Sequence, residues 1–312
     1  MTSTESQAAI PYSCLRPHRS EFITLRGLRH HLLRWDAQEP KASAKEPPLV
    51  LLHGWMDVGA SFQFMVDALH ADPQRQIYAI DWRGFGLSAS SGADTYWFPD
   101  YLGDLDALLD LLSPSAPVDL LGHSMGGNVV MTYAALRPQR IRRLINLEGF
   151  GLPEARAEQA PDRLLEWLDQ LKAPQSLKSY PSQAAVAARL MKTNPRLSQA
   201  KASWLAGHWA RPAEDGSWHI LGDPVHKHSN PVLYRKDEIV AGWARIQAPL
   251  LWVEGACTNL SAWWGDRYPR ADFEARLSVV PRVERRVLAD AGHMLHHDQP
   301  EALAAELEKF LR

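Results

Sequence analysis

The stretch VDLLGHSMGGNVVMTYAALR, residues 118–137, decides the fold. It begins with an apolar run at 118–122, typical of a strand buried on both faces, and it ends with a segment at 128–137 whose apolar residues have helical spacing. Between them, Gly122-His123-Ser124-Met125-Gly126 is predicted to form a tight strand-to-helix turn. Such a turn raises its central serine clear of the backbone, at the start of a helix whose dipole favours an anion. Ser124 is therefore the first candidate for a nucleophile.

Outward from this stretch, apolar runs and helical segments alternate along the chain. The runs predicted as strands are residues 48–53, 76–81, 118–122, 141–148, 249–254 and 285–290. The segments predicted as helices are residues 61–70, 99–112, 126–136, 266–277 and 299–311. A predicted hairpin of strands at 22–25 and 31–35 precedes them. This alternation predicts an α/β fold with a mostly parallel, doubly wound sheet covered by helices on both faces.

The alternation stops between about residues 152 and 240. Apolar residues there, such as Leu164, Leu165 and Leu168, have helical spacing, and the predicted helices have no strand between them. We interpret this segment as a helical cap inserted into the sheet domain. The predicted domains are a core at 20–151 and 241–312, a cap (lid) at 152–240 and an N-terminal extension at 1–19.

The composition is that of an ordinary globular protein and narrows the possible partners. The 312 residues are 46% hydrophobic and 22% charged, with a formal net charge of -2, so nothing favours nucleic acid or anionic lipid. No apolar run suits a signal peptide or a membrane span, and Cys14 and Cys257 suit a reducing compartment. We expect a soluble, cytoplasmic protein that acts on a small molecule. The oligomeric state stays open.

Cofactor and metal motifs are also missing from the sequence. We find no phosphate-binding loop, no dinucleotide-binding glycine pattern and no metal-ligand spacing of histidines and acids, so we expect neither a cofactor nor a metal. The stretch His226-Lys227-His228 is interpreted as solvated surface because it lies in a proline-flanked loop.

Three further motifs lie where strands are predicted to end. His53-Gly54-Trp55 follows one apolar run, DWRGFGLS at 81–88 ends the next, and Gly292-His293 with Pro300 follows the last. Together with the serine turn, these motifs resemble those of the α/β hydrolases over about residues 20–312. HGWMD at 53–57 and the cap most resemble the serine hydrolase-like proteins. The resemblance implies an α/β-hydrolase fold and a serine hydrolase.

The resemblance also implies roles for particular residues. Ser124 would be the nucleophile, and His293 would be the general base because it follows the last strand, where the base of this family projects toward the serine. The backbone N–H groups of Trp55 and Met125 would form the oxyanion hole. A serine nucleophile, rather than an aspartate, argues against haloalkane dehalogenase and epoxide hydrolase chemistry.

The acid of the predicted triad departs from the commonest pattern of the family. That pattern puts a carboxylate after the next-to-last strand, where this sequence has Thr258. Glu148 ends the preceding strand, a position from which some α/β hydrolases supply their acid, and it is our first choice. Glu254 is the second choice and Asp266 is more distant. A site with no acid at all is the remaining alternative.

The substrate is expected to be a small carboxylic ester with an apolar part. Aromatic residues on the predicted site loops and in the cap support this expectation, and a pocket lined by Trp82, Phe85 and His123 is predicted. The aromatic residues of the cap are Trp167, Trp204 and Trp209. Soluble lipase, C–C bond hydrolase and perhydrolase activities share the same motifs and stay open. So does a catalytically weak ligand-binding protein, which the threonine at 258 would favour.

Overall fold

The computed structural model describes residues 10–37, 46–70, 75–173 and 175–312. Residues 1–9 of the predicted N-terminal extension lie outside this range. The strands are β1 Arg19–Leu25, β2 Leu28–Trp35, β3 Leu49–Leu52, β4 Ile77–Ile80, β5 Val118–His123, β6 Ile141–Leu147, β7 Ser179–Tyr180, β8 Ala210–Pro212, β9 Trp218–Ile220, β10 Leu250–Gly255 and β11 Val283–Leu288. Eight of them form one sheet in the order β1-β2-β4-β3-β5-β6-β10-β11.

The sheet is mostly parallel, as the sequence predicts. β1 and β2 form the expected antiparallel hairpin, and β2 also pairs antiparallel with β4. In the rest of the sheet, β4-β3-β5-β6-β10-β11, every pair of neighbouring strands is parallel. The inner strands β3, β4 and β5 are buried along their whole length, since helices cover both faces of the sheet.

The helices divide between the two faces. They are α1 Gln63–Asp67, α2 Phe98–Leu112, α3 Met125–Leu136, α4 Ala160–Lys172, α5 Gln183–Thr193, α6 Gln199–Trp209, α7 Lys236–Trp243, α8 Leu260–Trp264, α9 Arg270–Leu277, α10 Leu295–Asp298 and α11 Pro300–Leu311. One buried apolar cluster includes side chains of α2, α3 and α9, and the other includes side chains of α1, α5, α6 and α11. Within the described part of the chain, no helix combines the length and apolarity that crossing a membrane requires.

Several predicted elements differ from the observed ones. The helix predicted at 61–70 is a 3-10 turn at Gly59–Phe62 followed by the short α1, and the one predicted at 266–277 is split before α9. Pro269 lies at this split, and a proline disfavours helical backbone in the residue before it. His296 and His297, which precede the helix predicted at 299–311, lie in the separate short α10.

The segment between β6 and α7 contains α4, α5 and α6 and also a small antiparallel sheet in the order β7-β9-β8. The expectation of helices without strands is therefore wrong for this segment. Strands of two or three residues are too short to carry a periodic pattern, so no local pattern indicates them. Hydrogen bonds from Gly86 N to Leu221 O (3.0 Å) and from Asp223 N to Gly84 O (2.7 Å) attach the segment to the loop after β4.

Candidate active site

Three predicted side chains meet at the carboxyl ends of the parallel strands. Ser124 directly follows β5, Glu148 directly follows β6, and His293 lies in the loop between β11 and α10. Ser124 Oγ is 3.0 Å from His293 Nε2, and His293 Nδ1 is 2.7 Å from Glu148 Oε2. The structure thus brings together a hydroxyl, an imidazole and a carboxylate in series.

The turn that carries Ser124 is strained, and its flanking glycines allow it to form. Ser124 has φ 52° and ψ -113°, a conformation that non-glycine residues rarely adopt. A Cβ on Gly126 would lie 2.1 Å from Leu52 O, and one on Gly122 would lie 2.2 Å from Gly126 O. Only glycine fits at these two positions. The backbone Ser124 N donates to Leu147 O at 2.8 Å, which fixes the turn against β6.

Glu148 is buried, and its carboxylate is fully engaged. Besides the contact with His293, its Oε1 accepts hydrogen bonds from the backbone N–H of Gly255 (2.7 Å) and from Thr258 Oγ1 (2.6 Å). Burying a carboxylate is costly unless donors satisfy its oxygens, and these contacts do so. The threonine at the position where the family more often has an acid therefore contacts the acid that lies beside His293. This hydrogen bond between Thr258 and Glu148 is not predicted from the sequence.

The other two acids considered from the sequence are elsewhere. Glu254 Oε1 pairs with Arg270 at 2.8 Å, and its Oε2 accepts from Trp252 Nε1 at 3.1 Å. Asp266 lies in an exposed 3-10 turn at Gly265–Arg267. Of the three acids, Glu148 is the one that contacts His293.

The loop after β3 runs against the serine turn. A Cβ built on Gly54 would lie 3.2 Å from Ser124 Cβ, so the backbone that leads into Trp55 is adjacent to the nucleophile candidate. The Trp55 side chain is 53% exposed, and its indole N–H donates to His226 O at 3.3 Å. Met125 is the first residue of α3, directly after the serine. The use of both backbone N–H groups as an oxyanion hole stays a prediction.

The three predicted pocket residues are buried around the site loops. Trp82 Nε1 donates to His53 O at 3.0 Å, and His123 Nε2 donates to His293 O at 2.8 Å. Phe85 belongs to the same buried cluster as Trp82. Because all three side chains are almost fully buried, they pack beneath the site, and their role as pocket walls stays a prediction.

One aromatic residue at the site was missed by the sequence reasoning. The ring of Trp263, in α8, lies edge-on to that of His293 with a centroid distance of 4.6 Å. It is 40% exposed, so it forms an apolar surface beside the imidazole. The sequence signal was weak, since tryptophan is also ordinary core material.

His226 corrects another expectation. Far from being solvated surface, its ring is buried between Phe85 and Tyr96, with centroid distances of 3.6 and 3.7 Å and nearly parallel planes. Its Nε2 lies 3.2 Å from Arg83 O. Burial lowers the pKa of His226 to about 4. This residue attaches the inserted segment to the loop after β4.

A second group of titratable side chains lies beside Ser124 and His293. Asp57, His123 and His296 are all buried, and each can offer a ligand atom within 4.8 Å of those of the other two. They are far apart in the chain, so no local spacing could indicate them. This group is therefore not among the residues predicted from the sequence.

The sheet topology and the serine turn define a hydrolase of the α/β-hydrolase fold. A model of the alpha/beta hydrolase fold family matches residues 47–300, and the chain belongs to this family. A serine hydrolase-like protein of Danio rerio is 25% identical over 276 residues, 85% of this chain and 81% of that protein. Esterase YbfF of Escherichia coli K12 is 26% identical over 278 residues, 88% of this chain and 97% of that protein.

Solved structures give the same result. The thioesterase domain from the curacin biosynthetic pathway matches with a TM-score of 0.77 and 26% identity, covering 94% of this chain and 99% of that domain. The family and the fold inferred from the motifs are thereby confirmed, and so is the enzyme class, a hydrolase.

Proposed function

We propose that this protein is a serine esterase that cleaves a small carboxylic ester with an apolar acyl or alcohol part. One observation carries the proposal: the hydrogen-bonded series from Ser124 Oγ through His293 to Glu148, with distances of 3.0 and 2.7 Å. A nucleophile that touches a base, which in turn touches a buried acid, is the arrangement that acyl transfer requires.

The proposed reaction begins with Ser124 Oγ attacking the ester carbonyl carbon while its proton moves to His293 Nε2. Glu148 accepts the Nδ1–H hydrogen bond, which leaves Nε2 free to take the proton and stabilises the imidazolium that forms. The imidazolium then protonates the departing alcohol, and an acyl-enzyme on Ser124 remains. A water molecule, deprotonated by His293, attacks the acyl carbon and releases the carboxylic acid and the free serine.

The negative oxygen that develops during each attack needs hydrogen-bond donors. We assign this role to the backbone N–H groups of Met125 and Trp55. The close approach of Gly54 to Ser124 supports the assignment, since it brings the loop of Trp55 to the nucleophile. The position of Met125 at the start of α3 adds the favourable end of a helix dipole.

The substrate class follows from the surface near the triad. Trp263 beside His293 and the half-exposed Trp55 offer apolar contacts to an acyl or alcohol chain. We further propose that residues 152–240 act as a cap over the core at 20–151 and 241–312 and help to select the substrate. The attachment of this segment through His226 and through the Trp209 hydrogen bond to Asp57 (3.0 Å) supports such an arrangement.

The alternative of a ligand-binding protein with weak catalysis drew its support from the missing acid at 258. With Glu148 beside His293 and Thr258 donating to it, that reason disappears. C–C bond hydrolase and perhydrolase activities would use the same residues, so the choice among them depends on the substrate.

The experiment is a fluorophosphonate labelling assay together with turnover of p-nitrophenyl esters of increasing acyl length. Wild type should be labelled and active, and Ser124→Ala should lose labelling and fall in kcat by about a million-fold. Ser278→Ala, at an exposed serine, is the matched control and should behave as wild type. An unlabelled but well-folded wild type would refute the serine mechanism. A wild type that is labelled but does not hydrolyse esters, and that instead cleaves a β-diketone or forms a peracid, would refute the esterase assignment but not the serine mechanism.

A further inference from the structure

Three buried side chains converge beneath the serine turn without taking part in the proposed triad. They are Asp57, His123 and His296, with exposed fractions of 4%, 2% and 0%. Their ligand-type atoms all lie within 4.8 Å of one another. A carboxylate and two imidazoles so deep in a protein are expected to have partners, because an unpaired buried polar group costs free energy.

Part of each side chain nevertheless has no hydrogen-bond partner among the described residues. This holds for Asp57 Oδ2, for His123 Nδ1 and for both ring nitrogens of His296. Each of the three residues therefore has at least one ligand-type atom without a partner among the described residues. A ligand that binds all three residues at once would relieve the cost.

In His123 and Asp57, the other polar atom of the side chain makes a hydrogen bond of the kind found in metal sites. His123 Nε2 lies 2.8 Å from His293 O, and since a carbonyl can only accept, Nε2 carries the proton and Nδ1 has a free lone pair. Asp57 Oδ1 accepts from Trp209 Nε1 at 3.0 Å, which leaves Oδ2 available. Metal-bound histidines generally donate their other N–H to a carbonyl or carboxylate, and metal-bound carboxylates are themselves hydrogen-bonded.

The protonation states suit a cation as well. Burial lowers the pKa of both His123 and His296 well below the ordinary histidine value, so both rings are neutral near pH 7, the form that binds metals. Burial also raises the pKa of Asp57, since a carboxylate charge is costly there, and a bound cation would offset that cost.

We propose that Asp57, His123 and His296 form a binding site for one divalent transition-metal ion such as Zn²⁺. Two imidazoles and one carboxylate are a common set for zinc, cobalt and nickel, whereas calcium and magnesium prefer oxygen ligands. Ligands about 2.1 Å from a tetrahedral ion lie roughly 3.4 Å apart, so the side chains would draw slightly closer on binding.

A metal ion bound at this position would affect catalysis by linking segments that carry the proposed catalytic groups. Each ligand lies within three positions of a proposed functional residue: Asp57 follows Trp55, His123 precedes Ser124, and His296 follows His293. A bound ion would therefore link the three loops that carry the oxyanion donor, the nucleophile and the base. The binding test needs no substrate, and it does not depend on the proposed esterase activity.

The experiment is titration of the metal-free, full-length protein with Zn²⁺ by calorimetry, followed by metal analysis after dialysis. We expect one equivalent to bind to wild type and to raise its unfolding temperature. Asp57→Asn and His296→Gln should each weaken binding at least tenfold and lose the thermal shift. His70→Gln removes an exposed histidine that is not one of the proposed ligands, and this variant should bind as wild type does.

A second pair of measurements separates this site from the triad and guards against variants that do not fold. His293→Ala removes the catalytic imidazole but not the carbonyl that holds His123, so it should retain zinc; loss of binding in this variant would overturn the proposal. Co²⁺ added to wild type should give the visible absorption of a four- or five-coordinate nitrogen and oxygen site. A wild type that retains no zinc and shows no such spectrum would also overturn it.

Discussion

Replacing Glu148 by glutamine tests the acid of the proposed triad, and the structure predicts how the new amide would be oriented. The Oε1 position receives two donors, Gly255 N–H and Thr258 Oγ1–H, so the amide oxygen of the glutamine would occupy it. The NH₂ group is then left facing His293 Nδ1, where Glu148 Oε2 now lies at 2.7 Å. An NH₂ group is a donor, so Nδ1 would have to accept and Nε2 would carry the proton.

This tautomer cannot take the proton of Ser124, and the charge that stabilises the imidazolium is also gone. The corresponding change in a serine protease triad lowers kcat by about 10,000-fold. We expect a loss of about 1,000- to 10,000-fold in Glu148→Gln, equivalent to about 4 to 5.5 kcal/mol of transition-state stabilisation. The assay is steady-state hydrolysis of a p-nitrophenyl ester, with circular dichroism as a check on folding.

Glu254→Gln is the matched control, because Glu254 is also a glutamate at the end of a parallel strand. Its partners are Arg270 and Trp252, and neither contacts His293, so the substitution should change kcat by less than about threefold. Stability should fall by about 1 to 3 kcal/mol, because the amide can accept from only one of these two donors. A folded Glu148→Gln within tenfold of wild type, or a larger loss in Glu254→Gln than in Glu148→Gln, would refute the reasoning.

Other perturbations test the surroundings of the triad. Thr258→Val removes one donor to Glu148 and should lower kcat about tenfold, while Thr258→Ser should keep the wild-type rate, as ester turnover can measure. Gly126→Ala would place a Cβ 2.1 Å from a carbonyl oxygen and should lower the free energy of unfolding, measured in urea, by about 3 kcal/mol or more. The control is Gly242→Ala in α7, where a Cβ has room, and it should be neutral or stabilising by up to about 1 kcal/mol. His226 has a pKa of about 4 in the folded protein, against an ordinary value of 6.5. As pH falls, the imidazole of the unfolded chain is therefore protonated first. The free energy of unfolding should decrease by up to about 3 kcal/mol between pH 6.5 and pH 4. His226→Phe should keep the ring stacking and show a smaller loss over that range; equal slopes of stability against pH would contradict this account.

The elements predicted best were those with a strong local pattern. The apolar runs of β3, β4, β5 and β10 mark strands buried on both faces, and the observed bounds agree with them within about two residues. The short β7, β8 and β9 were missed because two or three residues cannot show a period. The split before α9 was missed because the periodic signal continued across Pro269.

The residues of the site divide in the same way. Ser124 is found from its motif because the shape of its turn restricts the flanking positions to glycine, and His293 is found because it follows the last strand. Other residues are recognised only by their contacts in the folded chain. Thr258 contacts Glu148, Trp263 contacts His293, and the ring of His226 stacks on Phe85. Such contacts depend on packing between segments far apart in the chain, so no local pattern indicates them.

The position of the proposed acid, Glu148, follows from the order of the strands. β6 and β10 are parallel neighbours with Leu147 opposite Val253, so the residues that follow the two strands emerge side by side at the same edge of the sheet. The backbone N–H of Glu148 donates to Val253 O at 3.2 Å, which ties the end of β6 to its neighbour. A carboxylate that follows either strand can therefore reach the same nitrogen of His293. When it follows β6, the loop after β10 is free to supply a hydrogen-bond donor instead, and Thr258 does so. A chain with Thr258→Asp and Glu148→Gln should accordingly recover part of the activity that Glu148→Gln alone loses.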